Sequence, residues 1–211
     1  MKNPLFLLML ACLLLAGCSS NEDLHPTSDS FDISEVVLPK SQFISVLNRL
    51  EKFKNPDLLS SNSQKAGEML VEESELVNTL SPLLENGLTI HSEFKSQIYN
   101  SDLYASFSPE EKAALHAEIE ELNDDQLVEL SFIVNVNYYR ESLGSESIDW
   151  DRVISCAGAA VGISAIKEII KNNLQAATVE TMIGALKHVG KRYLGWIGVG
   201  LMIYEFVKCV Y

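Results

Sequence analysis

The stretch DDQLVELSFIVNVNYYRESLG, residues 124–144, has a pattern that fits either a helix or a strand. The predicted fold class depends on which of the two it forms. Leu127, Leu130 and Val134 follow the spacing of one helix face, whereas the part VNVNY alternates between apolar and polar residues as a strand does. A lone strand has nothing to pair with, and the rest of the chain shows helical patterns. The stretch is therefore predicted to be a helix, and the fold to be all-α.

Apolar residues at helical spacing also precede this stretch. One face runs through residues 43–50, and a longer one runs through residues 69–83. Pro82 predicts a kink or restart of the second helix, because proline lacks the amide hydrogen that a helix interior uses. Asn86-Gly87 predicts the end of that helix, since both residue types are common just after a last turn.

A strong helix start lies at Ser108-Pro109-Glu110-Glu111. A capping serine, a proline at the first helical position and acidic residues at the positive end of the helix dipole all favour initiation there. Leu115, Ile119 and Leu122 are predicted to form the buried stripe of this helix.

The chain after residue 155 differs in composition, because it holds seven of the eleven glycines. Thr178 is predicted to cap one helix, and Trp196 to Tyr211 to form another that is apolar nearly all round as far as Tyr204. Only 12 residues separate Arg192 from Glu205, whereas a membrane span needs about 20 apolar residues. This last helix is therefore predicted to lie in a buried core.

The N-terminus has the pattern of a secretory signal. Lys2 supplies a positive charge, residues 5–16 form an unbroken apolar run, and LAGC, residues 15–18, closes it. Such a run is too short to span a bilayer. Residues 15–18 resemble the bacterial lipobox, and the resemblance implies cleavage after Gly17 and lipidation of Cys18 by a diacylglyceryl group. Two or more acyl chains are sufficient for stable anchoring.

The residues behind Cys18 bear on the destination of the protein. Ser19 is not the aspartate that retains lipoproteins at the inner membrane of enteric-type bacteria. Asn21-Glu22-Asp23 resembles the acidic surface-export signal of some Gram-negative lipoproteins. These resemblances imply a bacterial outer-membrane location, with the protein periplasmic or surface-exposed.

Two cysteines remain for other chemistry, because Cys12 leaves with the signal and Cys18 carries lipid. Cys156 and Cys209 are predicted to form a disulfide, because an even number of remaining cysteines in an oxidising compartment usually pairs. A zinc site is not expected, because no histidine lies at ligand spacing from either cysteine.

The chain divides into four predicted parts. Residues 18–40 are rich in Ser, Asp, Glu, Pro and Thr, which is typical of a flexible spacer. The predicted order is a signal peptide (1–17), a flexible acidic tether (18–40), an acidic helical domain (41–148) and an apolar, Gly-rich, disulfide-closed helical module (149–211).

Charge narrows the range of partners. Without residues 1–17 the chain holds 15 basic and 29 acidic residues, a net charge of −14. Residues 18–155 carry 9 basic and 26 acidic residues, while residues 156–211 carry 6 and 3. The acidic surface argues against nucleic acid as a partner. The expected partners are the membrane, through the lipid on Cys18, and a protein in the envelope.

No catalytic constellation is evident in the sequence. His116 and Glu120 could share a metal at i, i+4 spacing, but no third ligand is indicated. Ser92-x-x-Lys95 and Ser164-x-x-Lys167 resemble the serine acyl-transferase and β-lactamase signature, yet neither has the accompanying KTG-type motif. The sequence also lacks a phosphate loop, HExxH and a calcium loop. No metal, cofactor or catalytic residue is predicted.

These observations predict a lipid-anchored envelope protein that is a non-enzymatic binding or structural module. The alternative, of a different class, is a bacteriocin-like membrane-active effector carried by the C-terminal module. Residues 155–211 resemble such effectors in being glycine-rich, cationic, amphipathic and disulfide-closed.

Overall fold

Seven helices dominate the part of the chain that the computed structural model describes, which is residues 31–51, 66–143 and 176–210. Within these ranges the all-α prediction is confirmed, because the only strands there are two residues long and a single 3-10 helix covers Ile33–Glu35. The helices are α1 Lys40–Glu51, α2 Ala66–Tyr99, α3 Asp102–Ser106, α4 Pro109–Ile119, α5 Asp124–Leu143, α6 Val179–Gly190 and α7 Gly195–Val210, and the strands are β1 Phe31–Asp32 and β2 Ala176–Ala177.

Helix α5 covers the stretch that decides the fold class, and its residues 125–137 are all buried. The helix lies between two hydrophobic clusters, so its apolar residues need not share one face. Val134 packs in the first cluster and Val136 in the second. The strand-like alternation of VNVNY therefore arises from a helix that is covered on both sides.

The two hydrophobic clusters join the front and back of the chain. The first combines residues of α2, α4, α5 and α6, and the second combines residues of α1, α2, α5 and α7. Helix α7 contributes five buried side chains to the second cluster: Val199, Met202, Ile203, Phe206 and Val207. Among the described helices, none is long and apolar enough to cross a membrane.

Helix α2 is longer than predicted. It continues through Pro82 and through Asn86-Gly87, where the sequence predicts a restart and an end. Tertiary packing explains the second difference, because Gly87 faces the backbone of α5. A Cβ atom at Gly87 would lie 2.1 Å from the Leu127 carbonyl oxygen. The glycine thus permits close approach of two helices instead of ending one of them.

Both predicted helix starts are confirmed. Ser108 caps α4, and its capping box with Glu111 is complete: the Ser108 side chain accepts from the Glu111 N–H, and the Glu111 carboxylate accepts from the Ser108 N–H. Thr178 caps α6 by accepting a hydrogen bond from the Thr181 N–H. Leu115 and Ile119 are buried as predicted, whereas Leu122 lies beyond the end of α4 and is only partly buried.

Residues 31–39, called the strap below, lie against the helices, although the sequence predicts a flexible tether as far as residue 40. Phe31, Ile33, Val36 and Leu38 are all buried. Strand β1 pairs antiparallel with β2, with Phe31 opposite Ala177. The strap therefore belongs to the folded body, because its four apolar side chains enter the two clusters.

Several predicted sites lie outside the described residues. Residues 1–30 and 144–175 include Cys18, Cys156, Ser164 and Lys167. Cys209 belongs to α7, but its side chain also lies outside the described part. Lipidation, the disulfide and the boundary at residues 148 and 149 therefore remain predictions.

Candidate functional site

Buried polar side chains of α5 meet residues from distant parts of the chain in two groups. The strap cluster lies beside residues 36–38 and consists of Asn86, Ser131, Asn135 and Tyr139. The junction cluster holds the connection between α6 and α7 and consists of Asp125, Gln126, Glu129, His188 and Arg192.

The strap cluster binds the main chain of the strap. Asn135 Oδ1 accepts a hydrogen bond from the Leu38 N–H at 2.9 Å, and Asn86 Nδ2 donates to the Val36 carbonyl at 2.6 Å. The Tyr139 hydroxyl donates to the Leu38 carbonyl. All three bonds involve backbone groups of the strap. They therefore fix its position and direction independently of its side chains.

Members of the strap cluster are also bonded to one another. Asn86 Oδ1 accepts hydrogen bonds from Ser131 Oγ and from Asn135 Nδ2, both at 2.8 Å. Asn135 Nδ2 also donates to the Ser131 carbonyl at 2.8 Å. Neutral groups buried in an apolar core need such partners, because each unsatisfied one costs free energy. The network thereby connects α2, α5 and the strap.

In the junction cluster, one turn of α5 binds two helix ends. Asp125 Oδ2 accepts hydrogen bonds from the N–H groups of Leu194 and Gly195, at 3.1 and 2.9 Å, where α7 begins. Gln126 Nε2 donates to two carbonyls at the end of α6, at 3.2 and 2.6 Å. Helix ends leave such backbone groups without partners in their own helix, so α5 supplies the caps. The carboxylate of Asp125 also lies at the positive end of the α7 dipole.

A buried ion pair lies beside these caps. Arg192 Nη1 and Glu129 Oε1 are 2.5 Å apart, and the two side chains are 16% and 1% exposed. The same Arg192 nitrogen lies 3.3 Å from His188 Nε2. An ion pair this deeply buried depends on both partners, because neither charge is compensated by water.

Burial controls the protonation of this cluster. It raises the pKa of Glu129 to about 7, with the Arg192 charge opposing the shift and the Asp125 charge adding to it. Burial also lowers the pKa of His188, and the positive charge of Arg192 lowers it further. Both side chains are therefore biased toward their neutral forms.

Residues noted in the sequence for metal or nucleophile chemistry meet at the end of α4. The Glu120 carboxylate lies 2.9 Å from Lys95 Nζ, accepts from the Tyr99 hydroxyl at 2.9 Å, and lies 3.2 Å from His116 Nε2. Hydrogen bonds from Lys95 and Tyr99 lower the pKa of Glu120. The structure thus brings His116 and Glu120 together and engages Lys95 with a carboxylate, while Ser92 is exposed.

Among residues 31–51, 66–143 and 176–210, no three His, Cys, Asp or Glu side chains form a group that could hold a metal ion. Comparisons with protein family models, curated proteins and solved structures gave no match to this chain.

The sequence predictions miss both clusters, although a signal exists. Asp125 and Glu129 stand four residues apart, as do Ser131 and Asn135, within the buried stretch 125–137 of α5. Polar pairs at helical spacing in a buried helix indicate that partners must come from elsewhere. Those partners lie far away in sequence, so the pattern does not identify them.

Proposed function

We propose that the chain is a lipid-anchored protein of the bacterial outer membrane, and that its helical body is a non-enzymatic binding or structural module. LAGC, residues 15–18, directly after the unbroken apolar run, is the observation that carries this proposal. The acylated Cys18 contacts the membrane, and the body stands on the periplasmic or surface-exposed side.

The use of polar groups in the body supports a module over an enzyme. The amides of Asn86 and Asn135 bond the strap and each other, and Asp125 and Gln126 cap helix ends. A catalytic acid or base must instead be within reach of a substrate proton. The net charge of −14 for residues 18–211 argues against nucleic acid as a partner.

The packing of α7 favours the module over the bacteriocin-like effector. Such an effector would present the apolar side of α7 to a bilayer. That side, which includes Val199 and Ile203, is buried in the second hydrophobic cluster. Its exposure would require the body to open.

Replacement of the lipidated cysteine tests this proposal. In cells fed an alkyne-tagged fatty acid, the wild-type protein should be labelled and found in the outer-membrane fraction. Cys18→Ala should be unlabelled and should leave that fraction. Cys12→Ala is the matched control, because Cys12 lies in the signal that is removed, and it should behave as the wild type. Membrane retention of unlabelled wild-type protein would contradict the proposal.

The predicted bond between Cys156 and Cys209 belongs to the same proposal, since the envelope is oxidising. Denatured protein that has not been reduced should show no thiol that iodoacetamide can alkylate, and two after reduction. Two reactive thiols before reduction, in material kept oxidised, would contradict the disulfide.

A further inference from the structure

We draw no further inference here: the strongest candidate, the buried cluster of Glu129, His188 and Arg192 where α6 meets α7, belongs to the junction already described, and nothing in the described residues shows a ligand or a moving part that it would control.

Discussion

The strap cluster and the junction cluster lie on the same buried helix, yet they stabilise the fold by different means. The strap cluster is made of neutral amides and hydroxyls that bond to each other and to backbone groups. The junction cluster contains a carboxylate and a guanidinium that are 2.5 Å apart and shielded from water. Neutral groups lose little when they are released to water, whereas a buried ion pair is costly to break.

This difference assigns different properties to the two attachments of α5. The strap attachment uses only neutral polar groups, so its contribution to stability should not change between pH 5 and pH 8. The junction attachment joins α6 and α7 to α5 through caps and a buried charged pair, so its contribution to stability depends on pH. Four measurements test this contrast.

The largest expected effect comes from breaking the ion pair. Arg192→Met leaves Glu129 buried without its partner, which costs about 3–5 kcal/mol. We expect this loss in the free energy of unfolding, from urea denaturation at pH 8. The loss should be smaller at pH 6, because a protonated Glu129 no longer carries the uncompensated charge.

The double variant Glu129→Gln with Arg192→Met is the control for that loss. Removal of both charges should be less destabilising at pH 8 than removal of Arg192 alone, because no buried charge remains. A double variant that loses as much as the sum of its two single variants would show that the pair is not coupled.

Gly87→Ala should weaken both attachments together, because α2 and α5 touch at this residue. The added Cβ would lie 2.1 Å from the Leu127 carbonyl oxygen, and overpacking of this kind costs about 3 kcal/mol. The measurement is again urea denaturation. Gly184→Ala is the matched control, since nothing lies within 4 Å of its Cβ position. There alanine should stabilise the helix by about 0.5–1 kcal/mol. Equal effects at the two glycines would contradict the close approach of α2 and α5.

A smaller loss in the free energy of unfolding is expected from a substitution in the strap cluster. Asn135→Leu removes the acceptor of the Leu38 N–H, and an unsatisfied buried group costs about 1–3 kcal/mol. Thermal denaturation should show this loss, and hydrogen exchange should localise it to the strap. Asn78→Leu on the exposed side of α2 is the control and should change stability by less than about 0.5 kcal/mol. Faster exchange throughout α5, with no excess at the strap, would contradict the proposed role of Asn135.

Local signals in the sequence were sufficient for the helix starts and for the fold class. The capping box at Ser108 and the cap at Thr178 depend on residues within one turn, so they could be predicted. Helix α5 could be predicted as well, because the neighbouring segments offered no strand to pair with VNVNY.

The remaining features depend on contacts between distant residues. Asn86-Gly87 carries a local signal for a helix end, but these residues lie inside α2. The glycine is used there for close contact with the backbone of Leu127. The strap has the composition of a tether, and its burial depends on Asn86, Asn135 and β2. The apolar residues of the strap do not identify these distant partners, so neither the docking of the strap nor the two clusters could be predicted.

The raised pKa of Glu129 determines the direction in which the stability of the junction cluster changes with pH. The folded protein raises this pKa from 4.5 to about 7 and so binds the proton more tightly than the unfolded chain does. The contribution of Glu129 to stability is therefore full below about pH 4.5 and is lost as the pH rises to about 7. His91 and His188 act in the opposite sense, because burial lowers their pKa values below the usual 6.5. Their contribution is present above that pH and is lost below it.

The most direct test of the contrast compares the free energy of unfolding at pH 5 and pH 8 for the wild type, Glu129→Gln and Asn135→Leu. The histidines remain in all three proteins, so their effect largely cancels. From pH 5 to pH 8 the wild type should lose about 2 kcal/mol relative to Glu129→Gln. Asn135→Leu should follow the wild type, at a constant difference. A Glu129→Gln variant that parallels the wild type, or an Asn135→Leu variant that diverges from it, would contradict the division of α5 into a charged and a neutral attachment.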